Sequence, residues 1–166
     1  MKINKISPVL ILVIMFALMI APVFANGTVY DSDLIAGRHH NVGEVTIYFN
    51  DAHTIMYVKL ETLECSIIET HLWAGTNLEE VPRTKSGNPK IGHFPYAADH
   101  EDGTKEVIYE IPITQGQTYY VLVHAVVDCP SLGEETAWGQ GRYATPFSER
   151  SDIFGRRWGY FITIDV

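Results

Sequence analysis

Residues Thr118 to Val127 are apolar on both parities: Tyr119, Val121 and Val123 alternate with Tyr120, Leu122 and Val126. Successive side chains of an extended segment point to opposite faces, so such a segment must be covered on both sides. It predicts a central strand, and the rest of the chain has to supply edge partners and a layer over each face.

The neighbouring sequence offers those partners. Glu44 to Phe49 and Thr54 to Leu60 are rich in β-branched and aromatic residues and flank the turn cluster Asn50-Asp51-Ala52-His53, which predicts a hairpin. Ser66 to Ala74 is a further strand, containing Ile67, Ile68, Leu72 and Trp73. Lys105 to Ile113 places Val107, Tyr109, Ile111 and Ile113 on one parity and Glu106 and Glu110 on the other, with Ile108 as the exception. Pro112 cannot donate to a ladder, so that strand is expected at a sheet edge. Trp158 to Val166 closes the chain with Tyr160, Ile162 and Ile164 on one parity.

Between the strands, Asn77 to Pro82 suits one helical turn, and Arg83 to Tyr96 reads as a loop in which Ile91, Phe94 and Tyr96 have something to bury. Ala97 to Thr104 reads as an acidic turn, and Arg142 to Arg157 as a polar, exposed segment. No repeat of a length that builds a solenoid or propeller recurs. The expected fold is all-β: about six to eight strands in two packed antiparallel sheets, a β-sandwich.

The N-terminus has another character. Lys2 and Lys5 precede an apolar run from Val9 to Ala25 that exits through Pro22-Val23-Phe24-Ala25. A positive start, an apolar middle and a small-residue exit make the pattern of a cleaved export signal. Its core, Val9 to Ile20, is shorter than the roughly 20 residues a spanning helix needs. The expected organisation is a signal peptide over residues 1–25, a leader over 26–33 and a single domain over 34–166, secreted or held at the cell envelope, with no membrane span after cleavage. Asn26-Gly27-Thr28 fits the N-glycosylation acceptor pattern at the new terminus.

The chain carries a formal net charge of −8, and the signal segment holds only basic residues, so the remainder is more acidic still. An acidic domain repels nucleic acid and anionic lipid, which excludes both as partners. The two cysteines, Cys65 and Cys129, form an even count in an exported chain and are expected to form a disulfide.

Several strings occur together: Glu69-Thr70-His71-Leu72, the stretch from Gly75 to Pro89, Gly92-His93-Phe94-Pro95-Tyr96, His124-Ala125-Val126-Val127, Glu135-Thr136-Ala137-Trp138-Gly139 and Trp158-Gly159-Tyr160-Phe161. In this order they resemble a family of small secreted, functionally uncharacterised β domains of bacteria, archaea and fungi, over roughly residues 34–166. The resemblance implies one exported domain and carries no activity or site.

Three candidate sites stand out, each beside an ordinary structural reading. His71 and His124, with Glu69 and Glu135, are suitable donors for zinc or another divalent transition metal, or else boundary histidines bonded to backbone. Asp99, Glu101 and Asp102 beside Gly103 offer oxygen donors to calcium, or else form a solvated acidic turn. Trp73, Trp138, Trp158, Phe94 and Tyr96 can build a stacking face for sugar rings, or else fill the core.

Signatures of catalysis are missing. The serines sit in no G-x-S-x-G pattern, and there is neither an H-E-x-x-H nor a phosphate-cradling glycine loop. A disulfide would silence Cys129 as a nucleophile beside His124. The sequence therefore points to a non-catalytic extracellular module that binds a cell-surface glycan or protein, or assembles with itself. A secreted domain holding a divalent cation is the second reading. A small hydrolase using His124 and Glu135 is the weakest.

Overall fold

The computed structural model describes residues 30–166, so the export signal and the Asn26 triplet lie outside the described residues. Ten strands follow in chain order: β1 (Tyr30–Ala36), β2 (His40–Phe49), β3 (Ile55–Thr62), β4 (Ser66–Gly75), β5 (Tyr96–Asp99), β6 (Glu106–Pro112), β7 (Thr118–Cys129), β8 (Gly133–Gln140), β9 (Ala144–Pro146) and β10 (Tyr160–Asp165). Among the described residues the helical content is three short 3-10 turns, at Leu78–Glu80, Ile91–His93 and Phe147–Arg150. Asn77 caps the first of these, its side-chain oxygen accepting from the Glu79 N–H at 3.0 Å. No helix among the described residues is long and apolar enough to cross a membrane.

The expected two-sheet sandwich is not what forms. One hydrogen-bonded antiparallel path of eight strands runs β5-β4-β7-β8-β1-β2-β3-β6, and its two ends curl back on each other. The Ile67 N–H donates to the Thr104 carbonyl just before β6, and Thr70 Oγ1 of β4 meets the Tyr109 hydroxyl of β6 at 2.6 Å. The sheet is thus nearly closed into a barrel, which leaves little unpaired edge. The β2–β3 hairpin forms as expected around residues 50–54, and β6, with Pro112 at its end, does terminate the path.

The inner face holds a single core that includes Leu34, Val45, Ile47, Leu60, Ile67, Leu72, Val123 and Ile164, all shut off from solvent. A second apolar cluster lies on the outer face of β4, β7, β8 and β10. There Trp73, Leu122, Trp138 and Phe161 are covered by Leu78, Val81 and Phe94 from one loop and by Phe147, Ile153 and Phe154 from another. This is why the sandwich expectation fails: the two-sided apolar strand β7 does have both faces covered, but its outer cover is loop and not a second sheet.

Three segment assignments change with it. Residues 142–157 were expected to be exposed, yet Phe147, Ile153 and Phe154 are buried and anchor the covering loop. Tyr30 to Asp33, read as leader, are paired with β2, and the 97–104 turn begins inside β5. At one end of the barrel Cys65 and Cys129 form a disulfide across a sequence separation of 64. Such a bond points to an oxidising, extracytoplasmic compartment.

Candidate functional site

The outer face of β4 and β7 carries the two histidines. A bulge at Ile68 shifts the register, so Ile67 pairs with Val127 but Glu69 pairs with Val126. That one-residue shift sets His71 directly opposite His124, with ring centroids 5.6 Å apart. His124 also meets the edge of Trp138 at 4.9 Å, because Trp138 is its partner on β8. Glu69 shares this face with the histidines, but Glu135 does not. Glu135 pairs with Val127 and stands three positions, an odd offset, before Trp138, which puts its side chain on the opposite face. Its carboxylate lies beside Gly37.

The other expected donors are placed as follows. Asp99 ends β5 opposite Glu69, Asp102 accepts from the Ser66 hydroxyl at 3.0 Å, and Ser66 Oγ in turn accepts from the Gly103 N–H. The acidic turn is therefore held by hydrogen bonds within the chain. Among the described residues, no group of three His, Cys, Asp or Glu side chains is placed to hold a metal ion. The aromatic residues divide. Trp73, Trp138 and Phe94 are buried in the outer cluster, Tyr96 packs edge-on against Tyr109, and Trp158 is half-buried at the surface.

Trp158 stands at the centre of a cleft that combines aromatic surface with charge. It lines a cleft of about 290 Å³ whose floor is His124, Trp138 and Phe147 and whose walls include Pro89, Ile91, Thr136, Arg38 and Arg157. A second cleft of about 570 Å³ adjoins it, sharing Arg38, Phe147, Arg157 and Trp158 and adding Arg156 and Ser86. The Arg38 guanidinium lies 5.8 Å from the Trp158 ring centroid, within cation–π range.

Local structure explains how Arg38 gets there. The β1–β2 hairpin turns through Gly37 and Arg38, both at positive φ (54° and 75°), and the His39 N–H closes the turn on Ala36. Ala36 pairs with His40, so the connection is three residues long, and its two left-handed positions are ones that usually take Gly or Asn. The Gly37 N–H donates to Thr136 on β8, which ties the turn over the cleft. Arg157 is fixed from the other side, its N–H donating to Asn88 Oδ1 at 3.3 Å. None of Arg38, Arg156 and Arg157 has an ion-pair partner among the described residues.

A larger cleft, about 740 Å³, runs from β1 and β2 to the disulfide. Its five carboxylates, Asp31, Asp33, Glu44, Glu61 and Glu64, lie on exposed or half-exposed strand positions and turns. That is the solvated side of a sheet, and volume alone does not make it a site. The smaller clefts are narrower but converge apolar, aromatic and cationic groups on one point, as ligand sites do.

His124 is only 4% exposed, and its Nδ1 is buried with no hydrogen-bond partner among the described residues, as is that of His71. Burial, helped by the neighbouring His71, lowers its pKa from 6.5 to about 3. The imidazole is therefore neutral in the folded protein at any mild pH. In the unfolded chain it binds a proton below about pH 6.5. Unfolding thus takes up a proton between these two values, and stability should be full above pH 6.5 and decline as pH falls toward 3. Denaturant titrations at pH 7 and pH 4 should show this loss, and His124→Phe should flatten it. An equally steep acid decline in the variant would assign the effect to other groups.

Arg38, Arg157, Pro89, Ile91 and Thr136 were not singled out by sequence. The trace they left was the run Arg156-Arg157-Trp158, two cations next to an aromatic, and a Gly-Arg pair between two extended segments. Of the aromatic residues proposed from sequence, Trp158 and Trp138 do reach the cleft. No family model, no curated protein and no solved structure matches this chain.

Proposed function

We propose that this chain is an exported, non-catalytic binding domain, a small disulfide-tied β-barrel that takes a surface ligand in the cleft around Trp158. The observation that carries the reading is the gathering of three of the chain's six arginines around one half-buried tryptophan, in a protein of net charge −8. Unpaired guanidinium groups gathered in an otherwise acidic molecule make a local positive patch that draws a ligand of opposite charge. His124, the histidine of the smaller cleft, is buried and held neutral, which agrees with binding without turnover.

The test uses the chain purified without reductant against a panel of anionic and neutral surface glycans, with binding and product release followed together. Saturable binding without turnover is expected. Trp158→Ala should abolish it while leaving the thermal midpoint within a few degrees, because this ring is half-buried and at the rim of the outer cluster. Release of product from any glycoside, ester or peptide would overturn the reading, and so would a failure to bind any member of the panel.

A further inference from the structure

We propose that the ligand is a carboxylate-bearing sugar, a uronic acid within an acidic polysaccharide, with its ring against Trp158 and its carboxylate between Arg38 and Arg157. The proposal rests on the reading of this cleft as the binding site and names the chemistry that would occupy it.

Charge selects the class. Arg38, Arg156 and Arg157 line the two adjoining clefts, no acidic side chain lines either one, and none of the three is ion-paired among the described residues. A guanidinium presents a planar fork of donors that matches a carboxylate two to two. Shape selects the rest of the ligand. Pro89, Ile91 and Phe147 supply apolar walls beside the Trp158 ring, and an indole face suits the C–H face of a pyranose. Because both clefts share Trp158, Arg38 and Arg157, the track continues past a single ring. A chain with a charge on every residue can follow such a track from Arg38 to Arg156.

Backbone geometry adds an independent argument. Arg38 adopts φ 75° at a turn position where glycine is at ease and a residue with a Cβ is not. Left-handed non-glycine residues cluster at ligand clamps, where the strain is retained for the sake of the side chain. Glycine in its place would fold better and bind worse, which is a signature that a purely structural role does not produce.

The probes are a galacturonate oligomer, its fully methyl-esterified form, which keeps the rings and removes the charge, and free galacturonate. The oligomer should bind, the ester should bind at least about tenfold more weakly, and raising the salt should weaken the oligomer further. Free galacturonate should bind more weakly than the oligomer, because it fills one position of the track. Arg38→Gly should lower oligomer affinity at least about tenfold with an unchanged or higher melting temperature, and Arg157→Ala should lower it comparably. If the ester binds as well as the acid, the anionic assignment falls while the cleft remains a binding site. If neither oligomer binds, or if both arginine variants bind normally while Trp158→Ala does not, the proposal is likewise overturned. Binding that survives all three variants would instead remove the cleft itself.

Discussion

Replacing Cys65 and Cys129 together by alanine is expected to lower the stability of the folded chain by roughly 4 kcal/mol, the chain-entropy value for releasing a loop of this length. The bond joins the turn after β3 to the last residue of β7 and so encloses β4, β5, β6 and β7. Those strands include both ends of the eight-strand path, where closure depends on a few hydrogen bonds and not on a full ladder. Without the link, the unfolded chain regains its freedom while the folded chain keeps its core. The loss should appear as a lower denaturant midpoint with little change in slope, and the unmutated chain should show a similar loss in reductant. Alanine is the right replacement, because both cysteines are buried and a serine hydroxyl there would add a desolvation cost of its own. The cleft lies toward the middle of β7 and not at the bonded end, so ligand affinity at room temperature should survive. A shift below about 1 kcal/mol would mean that the unfolded chain is already compact around these residues.

Phe147→Ala should cost about 3–5 kcal/mol and should also destroy the cleft. Phe147 is fully buried in the outer cluster, edge-on to Trp138 at 5.2 Å and stacked on Phe154 at 4.4 Å. Its ring passes so close to Gly159 that a Cβ built there would lie 2.3 Å from it, so glycine at that position is what lets the ring seat. The same ring forms part of the floor of both clefts. Removing it leaves a void beneath residues 147–159, the segment that presents Arg156, Arg157 and Trp158. The measurements are a denaturant midpoint and ligand binding on the same sample. Phe147→Leu, which keeps most of the volume, should fall between the two. Large destabilisation with unaltered binding would mean that Asn88 and the β9–β10 pairing alone organise that segment.

Much of the architecture was legible. β-Branched and aromatic runs separated by turn chemistry marked β2, β3, β4, β6, β7 and β10, and Pro112 marked an edge. Arg142 to Arg157 was misread because its three buried residues, Phe147, Ile153 and Phe154, are spaced with neither strand nor helix periodicity. Loop residues that cap a sheet follow the shape of what they cover, and that shape is not in their own order. The candidate sites fared likewise. Strand alternation put His71 and Glu69 on one face, but nothing local revealed the bulge at Ile68 that brings His71 onto His124, or the parity that carries Glu135 away.

Residue order by itself determined that this is an all-β chain with a two-sided central strand, a hairpin at its start, an acidic balance and a cysteine pair. Those properties are local or compositional: strand alternation, turn preference and net charge act within a few residues or over the whole chain at once. Only the tertiary structure decided that the strands close into a near-barrel with its second apolar face roofed by loops. It alone also brought Arg38, from the other end of the domain's sequence, to the adjacent pair Arg157 and Trp158 in one cleft. Which edges pair is a contest among long-range contacts of similar local quality, and it is settled by how the whole sheet can bury its surface, not by any segment's own pattern.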